Sequence, residues 1–301
     1  LMDSVQRQLS SEAILQTKPS QQTSQIFNRL ICLGVVSAQE LNFNQEPSTI
    51  ETINPSQLDY FSRIGSDPNI AQLAIEASSV LLLGLGGLGS VILQHLLGAG
   101  VRRLTLVDFD CVDESNLGRQ FIHSLKTTGQ SKVESAIRYI EQHATGVQVE
   151  SINMQIQTSD DVKNLLKGIG KLEAAAICID SPPGTSFDIS ATALWDAGIP
   201  FIHGGLMTES GFYGPLFSAS HNTPHPAHFR IGDSNQASLL SACFAPYNTM
   251  IGAYMAAELI HHLAGAHHLV DYSTRTFVDW HGHRQVKIEA LRLHHDLDEQ
   301  C

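Results

Sequence analysis

The feature that most constrains the fold is a glycine-rich turn between an apolar run and a helical run. Residues 79–83 read Ser-Val-Leu-Leu-Leu, and Gly84-Leu-Gly-Gly-Leu-Gly89 follows at once. A second strand-like segment, Arg-Leu-Thr-Leu-Val at 103–107, is followed by Asp108. This order predicts the opening βαβ unit of a nucleotide-binding sheet. Gly84 permits the tight turn, Gly86 lets the backbone approach a phosphate, and Gly89 lets the helix start pack against the strand.

The rest of the chain continues the alternation. It predicts an α/β, doubly wound, Rossmann-like and mostly parallel sheet with helices on both faces. After Gly205, strand-like segments at 213–217 and 276–280 predict an antiparallel C-terminal extension, and 246–262 reads as a helix in the core or at a dimer seam. The predicted strands are 79–84, 103–108, 147–152, 174–179 and 200–203, and the predicted helices between them are 90–99, 131–144, 159–168 and 186–197.

Polar residues after Asp108 indicate which nucleotide chemistry the sheet supports. A dehydrogenase needs one acid there to hold a ribose, whereas residues 108–120 and 129–132 form a dense polar series that includes Arg119 and Lys132. Fixed guanidinium and ammonium groups neutralise the charge that develops when a triphosphate is broken. Asp180 ends another apolar run, where a carboxylate near phosphates suits Mg²⁺.

Together these segments resemble the ubiquitin-activating-like adenylating enzymes of the ThiF, MoeB and HesA group, over roughly residues 60 to 290. The matching segments are 84–89, 108–110, 116–120, 129–132 and Asp180. The resemblance implies ATP and Mg²⁺ as cofactors, with Asp108 on the ribose and Asp180 on the metal. It implies catalytic roles for Arg119, Lys132 and Asp180. The implied nucleotide-binding residues are Gly84, Gly86, Gly87, Gly89, Asp108, Asp110, Asn116, Arg119, Gln120 and Lys132.

Within that family, segments 201–205, 211–217 and 244–248 resemble the peptide-modifying members that act in microcin C and pantocin A biosynthesis. The resemblance implies a precursor peptide as substrate and a homodimer. Residues 1–58 then form a small N-terminal unit, a possible precursor-peptide clamp, and residues 59–301 form the ATP-binding adenylation domain. An amphipathic helix is predicted within residues 23–33, and an arm that helps a dimer to pack is the other interpretation of this unit.

The cysteines depart from the pattern of most family members, which carry two Cys-x-x-Cys pairs for a structural zinc. The five cysteines of this chain form no such pair, so no structural zinc of that kind is expected. His221, His225 and His228 are better interpreted as a solvated loop than as replacement ligands. Cys243 is expected to pack, and whether His203 faces the substrate is left open.

Composition excludes several classes of partner. The formal net charge of −12 argues against nucleic acid or an anionic membrane as the main partner. No run of about 18 apolar residues is present to span a bilayer, and unpaired cysteines favour the cytoplasm.

The expected function is ATP-dependent activation, by adenylation or phosphorylation, of a carboxyl or carboxamide group on a ribosomally made peptide. Capture of the activated group by a neighbouring nitrogen would then give cyclisation or dehydration, in peptide antibiotic biosynthesis. One alternative is adenylation of the C-terminus of a ubiquitin-like sulfur-carrier protein. An NAD-dependent dehydrogenase is the second.

Overall fold

The computed structural model describes residues 54–229, 243–282 and 284–289. The helix expected within residues 23–33, and nearly all of the possible clamp at 1–58, lie outside these ranges. Within them, no helix combines the length and the apolar character needed to cross a membrane.

From residue 54 onward, two short helices precede the sheet, α1 (Pro55–Arg63) and α2 (Pro68–Ala77). Each starts with a proline in its first turn, directly after a polar residue whose side chain accepts a hydrogen bond from a free backbone N–H of that turn. These caps are Asn54 and Asp67. Phe61 of α1 is buried in the main core, so α1 packs as part of the sheet domain although it crosses residue 58.

Eight strands of the described residues form one sheet in the order β3-β2-β1-β4-β5-β6-β7-β8. Strands β1 to β5 pair in parallel, and β6, β7 and β8 add antiparallel strands at one edge. The predicted fold class is therefore confirmed. The strands are β1 (Ser79–Leu83), β2 (Arg103–Val107), β3 (Gln148–Ile152), β4 (Ala174–Ile177), β5 (Phe201–Leu206), β6 (Ser210–Phe217), β7 (Thr274–Asp279) and β8 (Arg284–Glu289).

Helices cover both faces of the sheet, and this explains the unbroken apolar run of β1. Side chains alternate along a strand, so Val80 and Leu82 enter one core while Leu81 and Leu83 enter the other. Helices α3 and α7 pack over the first core, and α5 and α6 over the second. The longer helices are α3 (Gly87–Ala99), α4 (Lys132–His143), α5 (Ser159–Gly168), α6 (Ser186–Asp196) and α7 (Ala245–Leu263).

Helix α7 is a core element. It packs along α3 and against β5 and β6, and Ile251, Met255 and Leu259 are fully buried. A Cβ at Gly252 would lie 2.7 Å from Cβ of Val91, so the two helices approach each other closely at that glycine. This contact fixes α7 beside the start of α3, where the glycine turn lies.

Candidate nucleotide and substrate site

A cavity of about 670 Å³ opens at the carboxyl ends of the parallel strands and continues along the sheet to β7. Chain order reverses between β1 and β4, and ligands of doubly wound sheets bind at that point. Gly89 lies beneath the turn and does not line the cavity. All the other predicted site residues do: Gly84, Gly86, Gly87, Asp108, Asp110, Asn116, Arg119, Gln120, Lys132 and Asp180.

The glycines of the turn have distinct steric roles. Gly84 has φ of +97°, and a Cβ there would lie 2.7 Å from the carbonyl oxygen of Cys178. A Cβ at Gly89 would overlap the carbonyl oxygen of Gly84, so helix and strand meet at that residue. A Cβ at Gly86 would meet only Nε2 of Gln120, at 3.7 Å, so this stretch of backbone faces open space. Because Gly86 also caps α3 without a side-chain acceptor, the first N–H groups of α3 remain available to an anion.

Asp108 is held rigidly beside this turn. Its Oδ2 accepts a hydrogen bond from the Leu85 N–H at 2.6 Å, and its Oδ1 accepts from the Asp110 N–H at 2.8 Å. Burial raises the pKa of Asp108, while the charge of Lys132 and these two hydrogen bonds act in the opposite direction. A carboxylate oxygen accepts more than one hydrogen bond, so the fixed carboxylate can still bind hydroxyl groups.

Lys132 supplies a shielded positive charge at the start of α4. Its side chain is 7 % exposed, and Nζ lies 2.7 Å from Oδ2 of Asp110, whose side chain is 46 % exposed. The backbone N–H of Lys132 also donates to the carbonyl of Asp110, at 2.9 Å. Because water also solvates the Asp110 carboxylate, the Lys132 ammonium is not committed to that partner alone. It lines the cavity and can therefore also bind a phosphate oxygen there.

Arg119 and Gln120 follow a 3₁₀ turn, Glu114–Asn116, that lines the same cavity. The Arg119 guanidinium donates to the Ser115 carbonyl at 3.1 Å and forms no ion pair with a described carboxylate. Gln120 is buried, and its Oε1 has no hydrogen-bond partner in the part of the chain that the structure describes. Both side chains therefore keep polar groups available for a ligand.

A residue that the sequence analysis missed connects this turn to the glycine turn. His123 is buried, with Nε2 3.2 Å from the Leu85 carbonyl and Nδ1 2.8 Å from Oγ of Ser135. Burial is the main reason why its pKa is lowered, so the imidazole is neutral. Nε2 then donates to the Leu85 carbonyl, and this hydrogen bond helps to hold Leu85, whose N–H binds Asp108.

Asp180 follows β4 on an exposed segment of the cavity wall. Asp110 and Asp188 line the same cavity. Mg²⁺ is commonly held by one or two carboxylates together with substrate phosphates, so this donor set fits that ion. In the part of the chain that the structure describes, no group of three or more His, Cys, Asp or Glu side chains is arranged to hold a metal by protein ligands alone.

The far wall of the cavity is lined by a second group of residues that includes Phe187, His203 and Arg275. Of these three, the sequence analysis singled out only His203. The ring of His203 packs at a tilt against that of Phe187 with centroids 4.5 Å apart, and its buried Nδ1 has no hydrogen-bond partner among the described residues. Burial and the charge of Arg275 lower the pKa of His203 well below its usual range, so the imidazole is neutral. Arg275 lies in β7 and is only 3 % exposed. The sequence analysis did not single it out, because it lies directly before the predicted strand at 276–280.

The model of the ThiF family matches residues 56–300. The chain belongs to the ThiF family. It is similar to molybdopterin-synthase adenylyltransferase of Salmonella typhimurium, with 33% identity over 196 residues that cover 64% of this chain and 76% of that protein. It is also similar to the adenylyltransferase and sulfurtransferase UBA4 of Meyerozyma guilliermondii, with 31% identity over 205 residues that cover 66% of this chain and 46% of that protein.

Two solved structures share the fold. Escherichia coli MccB, in a structure with MccA-N7isoASN, is 19% identical with a TM-score of 0.72, covering 91% of this chain and 80% of that one. PaaA is 18% identical with a TM-score of 0.68, covering 96% of this chain and 88% of that one. The predicted ThiF-like adenylating family is confirmed, and a nicotinamide dehydrogenase no longer fits. The match spans about half the length of the UBA4 relative, so that protein's complete activity is not carried over to this chain.

Proposed function

We propose that this protein uses ATP to transfer AMP to a carboxyl or carboxamide group of a ribosomally made peptide. One observation carries the proposal: a single cavity joins a nucleotide-type glycine turn to a separate end lined by Phe187, His203 and Arg275. The first end suits a triphosphate, and the second leaves room for another reactant. Family membership favours adenylation over phosphorylation.

In this proposal the residues at the nucleotide end of the cavity bind ATP and Mg²⁺. The open backbone at Gly86 and the start of α3 bind phosphate oxygens, and Asp108 accepts hydrogen bonds from the ribose. Asn116 is assigned to the phosphates and Gln120 to the wall beside them. Asp180 would hold Mg²⁺, which supplies positive charge to the phosphates when it is bound.

Transfer of AMP replaces a very poor leaving group. The substrate oxygen attacks the α-phosphorus, and the bond from that phosphorus to the pyrophosphate oxygen breaks. Arg119 and Lys132 stabilise the charge that grows on the departing pyrophosphate. A neighbouring amide or amine nitrogen then attacks the activated carbon, loses its proton, and expels AMP. The cavity contributes proximity by holding both groups together.

Two observations favour a peptide as the substrate. The fold is shared with MccB and PaaA, and the MccB structure is a complex with MccA-N7isoASN, which supports a substrate of that kind. Segments 201–205 and 211–217, which resemble the peptide-modifying members, form β5 and β6 beside the far end of the cavity. A clamp within residues 1–58 and a homodimer complete the proposal.

A second candidate is adenylation of the C-terminus of a sulfur-carrier protein. The specific observation in its favour is the similarity to molybdopterin-synthase adenylyltransferase. The two candidates differ in the size of substrate, because a carrier is a folded domain and a precursor peptide is not.

The test incubates the protein with ATP, Mg²⁺ and synthetic versions of the peptides encoded beside its gene. Mass spectrometry should show a peptide altered by cyclisation or loss of water, and nucleotide chromatography should show AMP. The Asp180→Ala variant serves as the control and should leave the peptide unchanged. ATP consumed only with a folded carrier protein would favour the second candidate, and no ATP turnover with either would reject both.

A further inference from the structure

Within residues 54–229, 243–282 and 284–289, Arg275 is a buried cation without an anionic partner. It forms no ion pair with any carboxylate of the described residues. Burial lowers its pKa to about 9, so the guanidinium still carries its charge at neutral pH. Charged side chains are rarely buried unless they are paired, because desolvation of an unpaired charge is costly. An arginine in this state is therefore prepared for an anion that the described residues do not supply.

The guanidinium is fixed in orientation but only partly used. Nε donates to the Gly214 carbonyl at 3.1 Å, and Nη1 donates to the Phe229 carbonyl at 2.6 Å. Nη2 is buried and makes no hydrogen bond with the described residues. An arginine has five N–H donors, so one on Nη1 and two on Nη2 remain. Adjacent N–H groups on Nη1 and Nη2 form the fork that binds both oxygens of a carboxylate.

Aromatic rings surround this fork. The guanidinium carbon lies 4.9 Å from the ring centroid of Phe212, 5.3 Å from that of Phe229 and 5.5 Å from that of Phe187. These rings pack against the cation and limit the water that reaches it. His203 contacts two of the same rings and is neutral, so it adds no competing positive charge. A charge-assisted hydrogen bond is stronger in such surroundings than in water.

The position of Arg275 separates it from the phosphates. Strand β7 is three strand spacings from β4, which carries Asp180 at its end, and four from β1, which carries the glycine turn. At about 4.8 Å per spacing, β7 lies on the order of 14 Å from β4 and 19 Å from β1. Both ends nevertheless line one continuous cavity. The anion at Arg275 is accordingly a group of the second reactant and not a phosphate of the nucleotide.

We propose that Arg275 anchors a carboxylate of the peptide substrate, distinct from the group that is activated, and so selects peptides that carry a free carboxylate. This inference rests on the proposed function, since it assigns part of the same cavity to the peptide. The carboxylate is either the C-terminus of the peptide or an acidic side chain. Arg275 acts here as a specificity-determining residue.

The experiment measures binding, so it does not depend on turnover. Each peptide encoded beside the gene is synthesised in three forms: unmodified, with a C-terminal amide, and with its acidic side chains replaced by amides. Calorimetry measures each form against full-length protein saturated with an ATP analogue that cannot be cleaved between its α- and β-phosphates. The variants are Arg275→Met, which keeps much of the packing, and Arg275→Lys, which keeps the charge without the fork. Arg138→Met, on an exposed position of α4, is the matched control.

Wild type and the Arg138→Met control should bind the unmodified peptide about 10- to 100-fold more tightly than one of the two neutralised forms, the range for a hydrogen bond to a charged group. The form that loses affinity identifies the source of the carboxylate. Arg275→Met should bind all three forms equally weakly, Arg275→Lys should recover only part of the preference, and affinity for the ATP analogue should not change.

Equal binding of all three forms by the wild type, or an undiminished preference in Arg275→Met, would overturn the inference. If the protein still modifies the peptides and releases AMP in that case, the proposed function stands and only the role of Arg275 is rejected. Carboxylate-dependent binding without any AMP release would instead reject the proposed function and leave the anchor in place. A peptide set that does not bind at all would reject both.

Discussion

The Gly86→Ala substitution tests whether the glycine turn binds phosphate through its backbone. The added methyl group would meet no described atom closer than Nε2 of Gln120, at 3.7 Å, which is an ordinary contact. It would instead project into the cavity at the place assigned to a phosphate. We therefore expect a normally folded protein that has lost much of its affinity for ATP.

The magnitudes follow from the same geometry. Loss of conformational freedom in the unfolded chain stabilises a Gly→Ala variant by about 0.4–1 kcal/mol, and alanine is a poorer N-cap than glycine by a similar amount. Stability should thus change by less than about 1 kcal/mol. Each phosphate hydrogen bond that the methyl group prevents is worth about 1.5–3 kcal/mol because the acceptor is charged. Loss of one such bond weakens ATP binding roughly 10- to 100-fold.

Two further glycines of the same segment provide controls. Gly98→Ala, on an exposed position of α3 where a Cβ would meet no atom within 4 Å, should leave ATP affinity unchanged and slightly stabilise the protein. Gly89→Ala would overlap the Gly84 carbonyl and should unfold the turn. Urea denaturation and calorimetry with ATP and Mg²⁺ measure both quantities. Unchanged ATP affinity in Gly86→Ala would refute the reasoning, as would a loss of stability as large as that of Gly89→Ala.

Three other predictions concern catalysis, pH and the N-terminal segment. Arg119→Ala, Lys132→Ala and Asp180→Ala should each lower the rate of AMP formation on the order of 10²-fold or more, with an unchanged melting temperature for the exposed Asp180, and near-normal rates in all three would contradict the adenylation proposal. Burial is the main cause that raises the pKa of Glu258 to about 7 from 4.5. The folded state therefore binds its proton more tightly than the unfolded state does, and stability should fall by up to about 3 kcal/mol as pH rises from about 4.5 to 7. Glu258→Gln should remove that fall in urea titrations at pH 5 and 8, and a pH profile identical to that of wild type would disprove the assignment. Removing residues 1–53 should weaken peptide binding more than ATP binding in calorimetry, and an equal loss of both ligands would argue against a clamp.

Local patterns predicted the central sheet because each strand there has a distinct signature. The leucine run of β1 alternates between two cores, so it had to be apolar at every position. The glycine turn and Asp108 are adjacent in sequence to the elements that position them. Helices α1 and α2 were not predicted, although an Asn-Pro and an Asp-Pro pair mark their starts. Those signals were present and could have been used.

Arg275 shows what local patterns could not reveal. Its orientation depends on the pairing of β7 with β6, and its surroundings come from Phe187 on α6, Phe212 on β6 and Phe229 in a 3₁₀ turn. These elements are far apart in sequence, so no motif of fixed spacing joins them. The neutral state of His203 has the same origin, because Arg275 and burial together lower its pKa.

The most direct test of the central claim follows one oxygen atom. A peptide that the protein modifies is prepared with ¹⁸O in the carboxyl or carboxamide group that reacts, and the nucleotide products are analysed by mass spectrometry. Transfer of AMP to that oxygen, followed by capture of the activated carbon, predicts that AMP carries the ¹⁸O and that pyrophosphate does not. Label in inorganic phosphate with release of ADP, or AMP without label, would contradict adenylation of the peptide.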